Sequence, residues 1–199
     1  MIIGIVGESG AGKSEVCRYL DHFGFYIINV DDLAKSLYEK KDSVAYKQIV
    51  SVFGKKVLMD NGSINKKYLG RVIFKNKTKM QELNTIMFPL IYEAVKKELL
   101  VLGPYKDIVI DAALLLKTDL LKSVELTIIV TADRKIRIER LLKRGVDKDI
   151  AEYMADALKI TNKELSKADL ILFNSDNNNL EGLKKELRVF LEKYRSMNE

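Results

Sequence analysis

No stretch of this chain is apolar for long enough to cross a bilayer, so no membrane partner is expected. The sequence runs straight into an apolar strand pattern and a glycine-rich loop, so no signal peptide is expected. Cysteine occurs once, at Cys17. That excludes an internal disulfide framework and fits a reducing, cytoplasmic setting. Cys17 falls inside a helical pattern and reads as a small core residue rather than a nucleophile. Histidine also occurs once, at His22, in the last turn of that helix, where it reads as a helix-end residue and not as a base or metal ligand. There is no zinc-ligand spacing, no G-x-G-x-x-G fingerprint and no internal repeat. Nor is there a helix-turn-helix cue or an aromatic-interleaved basic strand. The net charge is +6, from 34 basic and 28 acidic residues. The lysines are scattered rather than blocked, so nucleic acid is not the expected partner. A small polyanionic substrate is.

The chain has 199 residues, of which 47% are hydrophobic and 31% charged. That is the composition of one folded domain, with room for a sizeable insertion. The feature that organises it lies near the start. Ile2 to Val6 form a short apolar run, and Gly7-Glu8-Ser9-Gly10-Ala11-Gly12-Lys13-Ser14 follows with the spacing G-x-x-x-x-G-K-S, the signature of a phosphate-binding loop. Gly10 and Gly12 allow consecutive N–H groups to point at an anion. The helix beyond them, with Val16, Leu20 and Phe23 at helical spacing and Gly24 as its stop, directs its positive end at the same place. Lys13 offers a charge to the β- and γ-phosphates, and Ser14 a hydroxyl to Mg²⁺.

A second strand, Phe25 to Ile28, leads into Asn29-Val30-Asp31-Asp32. A carboxylate at the carboxyl end of a parallel strand can orient an attacking hydroxyl or hold Mg²⁺ through water. Asp31 or Asp32 can equally start the helix through Leu33, Leu37 and Tyr38. From 42 to 103 the pattern is helical: Ser43 to Phe53 ended by Gly54, a turn at Asp60-Asn61-Gly62-Ser63, then Asn65 to Phe74. A long helix follows, capped by Thr78, with Met80, Leu83, Met87, Leu90, Ile91, Ala94 and Val95 on one face. Pro89 should kink it, and Gly103-Pro104 ends it. A block of this size exceeds a simple crossover and is read as a substrate-binding insertion.

Ile108 to Asp111 and Leu126 to Val130 read as buried parallel strands, with Asp111 positioned as a second acidic residue for the metal. Leu114-Leu115-Leu116 reads as plain packing. Asp133 should cap a helix bearing Arg134, Arg137, Arg140 and Arg144. The last three share one face, a solvated stripe in the usual case and a phosphate-neutralising one beside a nucleotide. Gly145 ends that helix; Asp149 to Ile160 forms another. Leu170 to Phe173 is the last strand, followed by an asparagine-rich loop, Asn174 to Asn179, and a closing amphipathic helix. The sum is an α/β fold, a doubly wound five-stranded parallel sheet.

The ordered set of motifs resembles the dephospho-coenzyme A kinase family. Gly7 through Ser14 is similar to its phosphate loop, and Ile28-Asn29-Val30-Asp31 through Lys35 to its acidic motif after strand two. Phe53-Gly54, Asp60-Asn61-Gly62 and Leu69 to Phe74 resemble the first half of its insertion. Pro89-Leu90-Ile91 resembles its His-Pro segment and Asp111 to Leu115 its Pro-Leu-Leu stretch. Arg140 and Arg144 resemble its lid arginines, and Ala168-Asp169 through Asn174-Ser175 its last strand and Asn loop. The resemblance implies a P-loop kinase with a helical acceptor-binding insertion, 42–103, and a helical lid, 140–165. It also implies transfer of the ATP γ-phosphoryl group to the 3′-hydroxyl of dephospho-coenzyme A. Lys13, Asp31 and Arg140 would be catalytic. Glu8, Ser9, Gly10, Ala11, Gly12, Lys13, Ser14, Arg144 and Asn174 would bind ATP. Asp31, Arg71, Phe88, Leu114 and Leu115 would bind the acceptor, and Ser14 would ligate Mg²⁺. The chain departs from the family pattern at Asn29, Phe88, Ala113, Lys117, Met154, Leu158 and Glu164. Another small-molecule P-loop kinase, acting on a nucleoside monophosphate or a sugar, and a non-catalytic nucleotide binder are the alternative readings. The sequence does not give the oligomeric state.

Overall fold

The computed structural model describes residues 1–74, 76–104, 106–157, 159–175 and 180–198. Leu158 and the Asp176, Asn177, Asn178 and Asn179 part of the asparagine run lie outside the described residues. The chain divides into two compact units, Met1–Ile28 with Tyr105–Glu199, and Asn29–Pro104.

The first unit is built on a five-stranded sheet in the order β2-β3-β1-β4-β5. Its strands are β1 (Ile2–Gly7), β2 (Tyr26–Asn29), β3 (Ile108–Asp111), β4 (Leu126–Thr131) and β5 (Leu170–Phe173). β1 pairs in parallel with β3 and β4, and β4 in parallel with β5. The reason β1, β3 and β4 are strands is visible in their residues: they are rich in β-branched residues and buried on both faces, which a sheet sandwiched between layers accommodates. The edge strand β5 alternates instead, with Leu172 buried and Ile171 and Phe173 exposed. Helices α1 (Lys13–His22) and α9 (Leu180–Asn198) supply Val16, Cys17, Leu20, Leu183, Leu187 and Leu191 to a core shared with Ile3, Ile5, Val109, Ile128 and Val130. On the other side of the chain order come α6 (Arg134–Lys143), α7 (Lys148–Ala157) and the short α8 (Asn162–Leu165). Together they carry the 140–165 stretch.

The second unit is helical: α2 (Val30–Glu39), α3 (Val44–Phe53), α4 (Lys66–Phe74) and α5 (Lys77–Leu102). It starts at Asn29, earlier than the expected insertion boundary at 42, because α2 packs with α3 and α5. Ala45, Ile49, Val57, Ile64, Leu69 and Met87 form its core. The turn at Asp60–Ser63 is closed by Tyr46, whose hydroxyl donates to the Gly62 carbonyl at 2.6 Å.

Several helix starts differ from the sequence expectation, and each difference has a local cause. Neither Asp31 nor Asp32 begins α2; the Asn29 side chain accepts the Asp32 N–H at 3.0 Å and caps it. Thr78 does not cap α5, because Asn76, two residues earlier, accepts from the Lys79 N–H. Asn65 precedes α4 and accepts from the Tyr68 N–H rather than joining the helix. Asp133 stands before α6 but its side chain makes no cap, and Ser175 instead accepts from the Asp133 N–H at 2.6 Å. α7 covers Lys148–Ala157 rather than 149 to 160. Pro89 lies inside α5, which continues through it. Phe23 and Met80, expected on apolar faces, are exposed. Ser43, Gly54, Gly24, Gly103 and Gly145 bound helices where expected.

Candidate active site

The loop after β1 has the backbone its glycines permit. Gly10 and Gly12 hold φ values of 82° and 101°, and Gly12 is the residue before α1, so Lys13 is the first helical residue. Both glycines are also required by space. A methyl on Gly10 would lie 2.6 Å from the Arg137 carbonyl oxygen, and one on Gly12 2.3 Å from the Asn174 side-chain nitrogen. Without side chains at these two positions the loop can offer N–H groups to an anion, while those of Glu8 and Ala11 are taken by the Val130 and Glu8 carbonyls.

The loop is clasped from outside. Asn174, at the end of β5 and only 8% exposed, donates from Nδ2 to the Ala11 carbonyl at 2.8 Å. Its Oδ1 accepts from Arg140 at 3.3 Å. Arg140 also donates to the carbonyls of Gly10 and Ala11, each at 3.4 Å. Partial burial, and then the charge of nearby Arg144, hold the Arg140 guanidinium below its ordinary pKa. A clustered positive charge that is already partly desolvated is one an anion stabilises strongly. Arg144 itself caps the end of α6 and is exposed.

Lys13 pairs with Asp111 at the end of β3. This is a partly buried ion pair, with Asp111 6% exposed. Asp111, expected as a second acidic residue for the metal, is the partner of Lys13 here. Behind it, burial and secondarily the Asp111 charge push the Cys17 thiol up to about 12, so Cys17 is a neutral core group, as its helical position implies. Glu8 is buried, 7% exposed. It accepts from the Thr131 hydroxyl at 2.6 Å and the Ile160 N–H at 3.3 Å and faces Arg137.

The amino-acid pattern of residues 1–180 matches the family model described as dephospho-CoA kinase. The chain belongs to the dephospho-CoA kinase family. The dephospho-CoA kinase of Fusobacterium nucleatum is 34% identical over 193 residues, covering 96% of this chain and 97% of that one. That of Halalkalibacterium halodurans is 30% identical over 202 residues, covering 100% and 99%. Among solved structures, TT1252 from Thermus thermophilus shares the fold with a TM-score of 0.80 at 23% identity, covering 97% of each chain. The dephospho-CoA kinase from Campylobacter jejuni does so at 0.61 and 20%, covering 96% of each. The fold is that of P-loop kinases, and members of this family are ATP-dependent phosphotransferases.

Of the residues the sequence singled out, the structure brings Gly10, Ala11, Gly12, Lys13, Arg140 and Asn174 together. Asp31, Arg71 and Phe88 belong to the helical unit: Asp31 exposed in the first turn of α2, Arg71 exposed in the last turn of α4, and Phe88 half-buried on α5. Leu114 is half-buried. Leu115 is fully enclosed, and its Cδ2 would lie 2.3 Å from a methyl on Gly4. The correction to the acceptor set is therefore that Leu115 packs under β1, while Leu114 alone of the pair reaches a surface. Two departures from the family pattern, Lys117 and Glu164, face each other at 3.4 Å. Glu164 also completes a capping box with Thr161, whose backbone N–H holds the carboxyl below its usual range, with Lys117 adding to the effect.

Arg137, expected with Arg140 and Arg144 on either a solvated or a phosphate-neutralising face, is neither: it is 4% exposed and donates to the carbonyls of Ala132 at 2.9 Å and Ala155 at 2.6 Å. Among the described residues no cluster of three acidic, histidine or cysteine side chains could cage a cation. Ser14 is exposed at the start of α1. One hydroxyl, completed by phosphate oxygens and water, is a donor set that suits Mg²⁺ arriving with a nucleotide. No helix among the described residues is long and apolar enough to cross a membrane.

Proposed function

We propose that this chain transfers the γ-phosphoryl group of ATP to the 3′-hydroxyl of dephospho-coenzyme A, the last step of coenzyme A synthesis. The observation that carries the reading is a clasped phosphate loop with Lys13 at its helix start, in a member of the dephospho-CoA kinase family. In-line phosphoryl transfer demands positioning and charge neutralisation more than covalent chemistry. The α1 terminus and the loop N–H groups other than those of Glu8 and Ala11, which donate to the Val130 and Glu8 carbonyls, receive the β-phosphate. Lys13 exchanges Asp111 for phosphate oxygens, and Arg140 and Arg144 neutralise charge from the lid side. Mg²⁺, ligated by Ser14, supplies further neutralisation of the phosphates when bound. Asn174 and the lid face the adenine. Asp31 orients the acceptor hydroxyl and takes its proton, and Arg71, Phe88 and Leu114 contact the acceptor. Such a reaction, with soluble substrates and a lone reduced cysteine, suits the cytoplasm.

The test is ADP release with Mg²⁺-ATP against dephospho-coenzyme A, nucleoside monophosphates and gluconate. Turnover with dephospho-coenzyme A alone is the expected result. Turnover with a different acceptor alone would replace this reading by that of another small-molecule kinase. Tight ATP binding with no turnover on any acceptor would make the chain a nucleotide-binding protein.

A further inference from the structure

A carboxylate is an unexpected guest in an anion-binding loop. Glu8 is the second residue of that loop, and its buried charge lies where a nucleotide brings several negative charges of its own. In a medium of low dielectric that repulsion is large. The structure holds a counter-charge ready: Arg137 Nε lies 3.4 Å from Glu8 Oε2, with 5% and 6% of the two side chains exposed. Arg137 is fixed independently of Glu8, by its bonds to the Ala132 and Ala155 carbonyls. Its own backbone carbonyl sits against Gly10. The guanidinium is thus braced by the turn after β4 and by α7, against the loop. Glu8 in turn ties the loop to Thr131 of β4 and to the Ile160 N–H ahead of α8.

We infer that Arg137 is a positioning residue that cancels the charge of Glu8 in the phosphate loop, so that Glu8 can join the loop to the 159–161 segment without repelling the nucleotide. This rests on the reading that the loop holds ATP, and goes beyond it by assigning Arg137 and the Glu8 side chain a task no phosphate contact requires. The charge argument makes the two single substitutions differ in sign. Arg137→Gln leaves a buried carboxylate unopposed and weakens MgATP binding by about tenfold or more. Glu8→Gln keeps an amide oxygen for the Thr131 hydroxyl, leaves the Arg137 charge uncompensated and tightens binding several-fold. The double substitution removes both charges and recovers most of the loss seen in Arg137→Gln.

The measurement is calorimetric titration of the full chain with MgATP, which needs no acceptor, alongside thermal unfolding of each variant. Opposite signs for the two singles, with recovery in the double, support the assignment. A weakening in both singles overturns it whatever the double shows, because a contacting pair that is merely structural also couples in the double, and only the charge argument gives the two singles opposite signs. If Arg137→Gln does not fold, Glu8→Gln and Arg137→Lys decide. Arg137→Lys keeps the charge and retains affinity within a few-fold, and a tenfold loss there together with weaker binding by Glu8→Gln overturns the inference. Failure of the unsubstituted chain to bind MgATP would instead overturn the reading of the loop itself, a separate outcome.

Discussion

Lys13→Met loses phosphoryl transfer by roughly a thousandfold, on the scale of removing one preorganised charge from a transition state, and it unfolds at lower temperature as well. The two effects have different origins. The catalytic loss follows from the proposed role, since methionine reproduces the length of the lysine stem but offers no charge to the γ-phosphoryl oxygens as they separate from ADP. The stability loss follows from Asp111. That carboxylate is buried and paired with Lys13, and removing one partner of a buried pair costs about 3 kcal/mol. The double substitution Lys13→Met with Asp111→Asn separates them: thermal unfolding recovers, because no unpaired charge remains, while turnover does not. Coupled ADP release and differential scanning fluorimetry on the three variants check this. Recovery of turnover in the double variant would show that Lys13 acts through the fold alone.

Asp31→Asn loses kcat by roughly a hundred- to ten-thousandfold, the range of a positioned general base, and keeps its affinity for MgATP. The substitution is nearly isosteric, and α2 keeps its start, because the cap is supplied by Asn29 and not by Asp31. A carboxylate in the first turn of a helix is favoured there by about 0.3–1 kcal/mol. The expected signature is therefore a kcat effect with ATP affinity and unfolding temperature intact, measured by steady-state turnover on dephospho-coenzyme A and by calorimetric titration with MgATP. Loss of ATP binding would move Asp31 from the acceptor to the nucleotide.

How far the sequence could be read depended on whether a residue's partner was near it in the chain. β1, β3 and β4 were legible as buried strands because both faces are apolar, and helix stops were legible because Gly54, Gly103 and Gly145 adopt positive φ, at 75°, 74° and 79°. Helix starts were harder. Asn29, Asp31 and Asp32 are all capping types, as are Asn76 and Thr78, and which one captures the free N–H groups depends on where the backbone turns out of its extended form. The phosphate loop was legible from spacing alone. Its clasp was not. Asn174 was singled out for the adenine side by resemblance, but its bond to the Ala11 carbonyl spans most of the chain and leaves no local trace. Arg137 shares a helical face with the part-buried Arg140 and the exposed Arg144, and the carbonyls of Ala132 and Ala155 and the Glu8 carboxylate draw it inward. Leu115 lies beside Leu114 in sequence, yet the short 3₁₀ turn at Leu115–Lys117 sends the two side chains to different surroundings.

The lone cysteine has a consequence of its own. Cys17 is 6% exposed, and its thiol is pushed up to about 12, first by burial and then by the charge of Asp111. Near neutral pH only about one thiol in a hundred thousand is the reactive thiolate. Alkylation of the folded chain must wait for α1 to lift from the sheet and admit both reagent and water. With no second thiol to compete, the rate at which the protein takes up a thiol reagent is a stopwatch for that opening, started from within by a residue one turn of helix beyond Lys13.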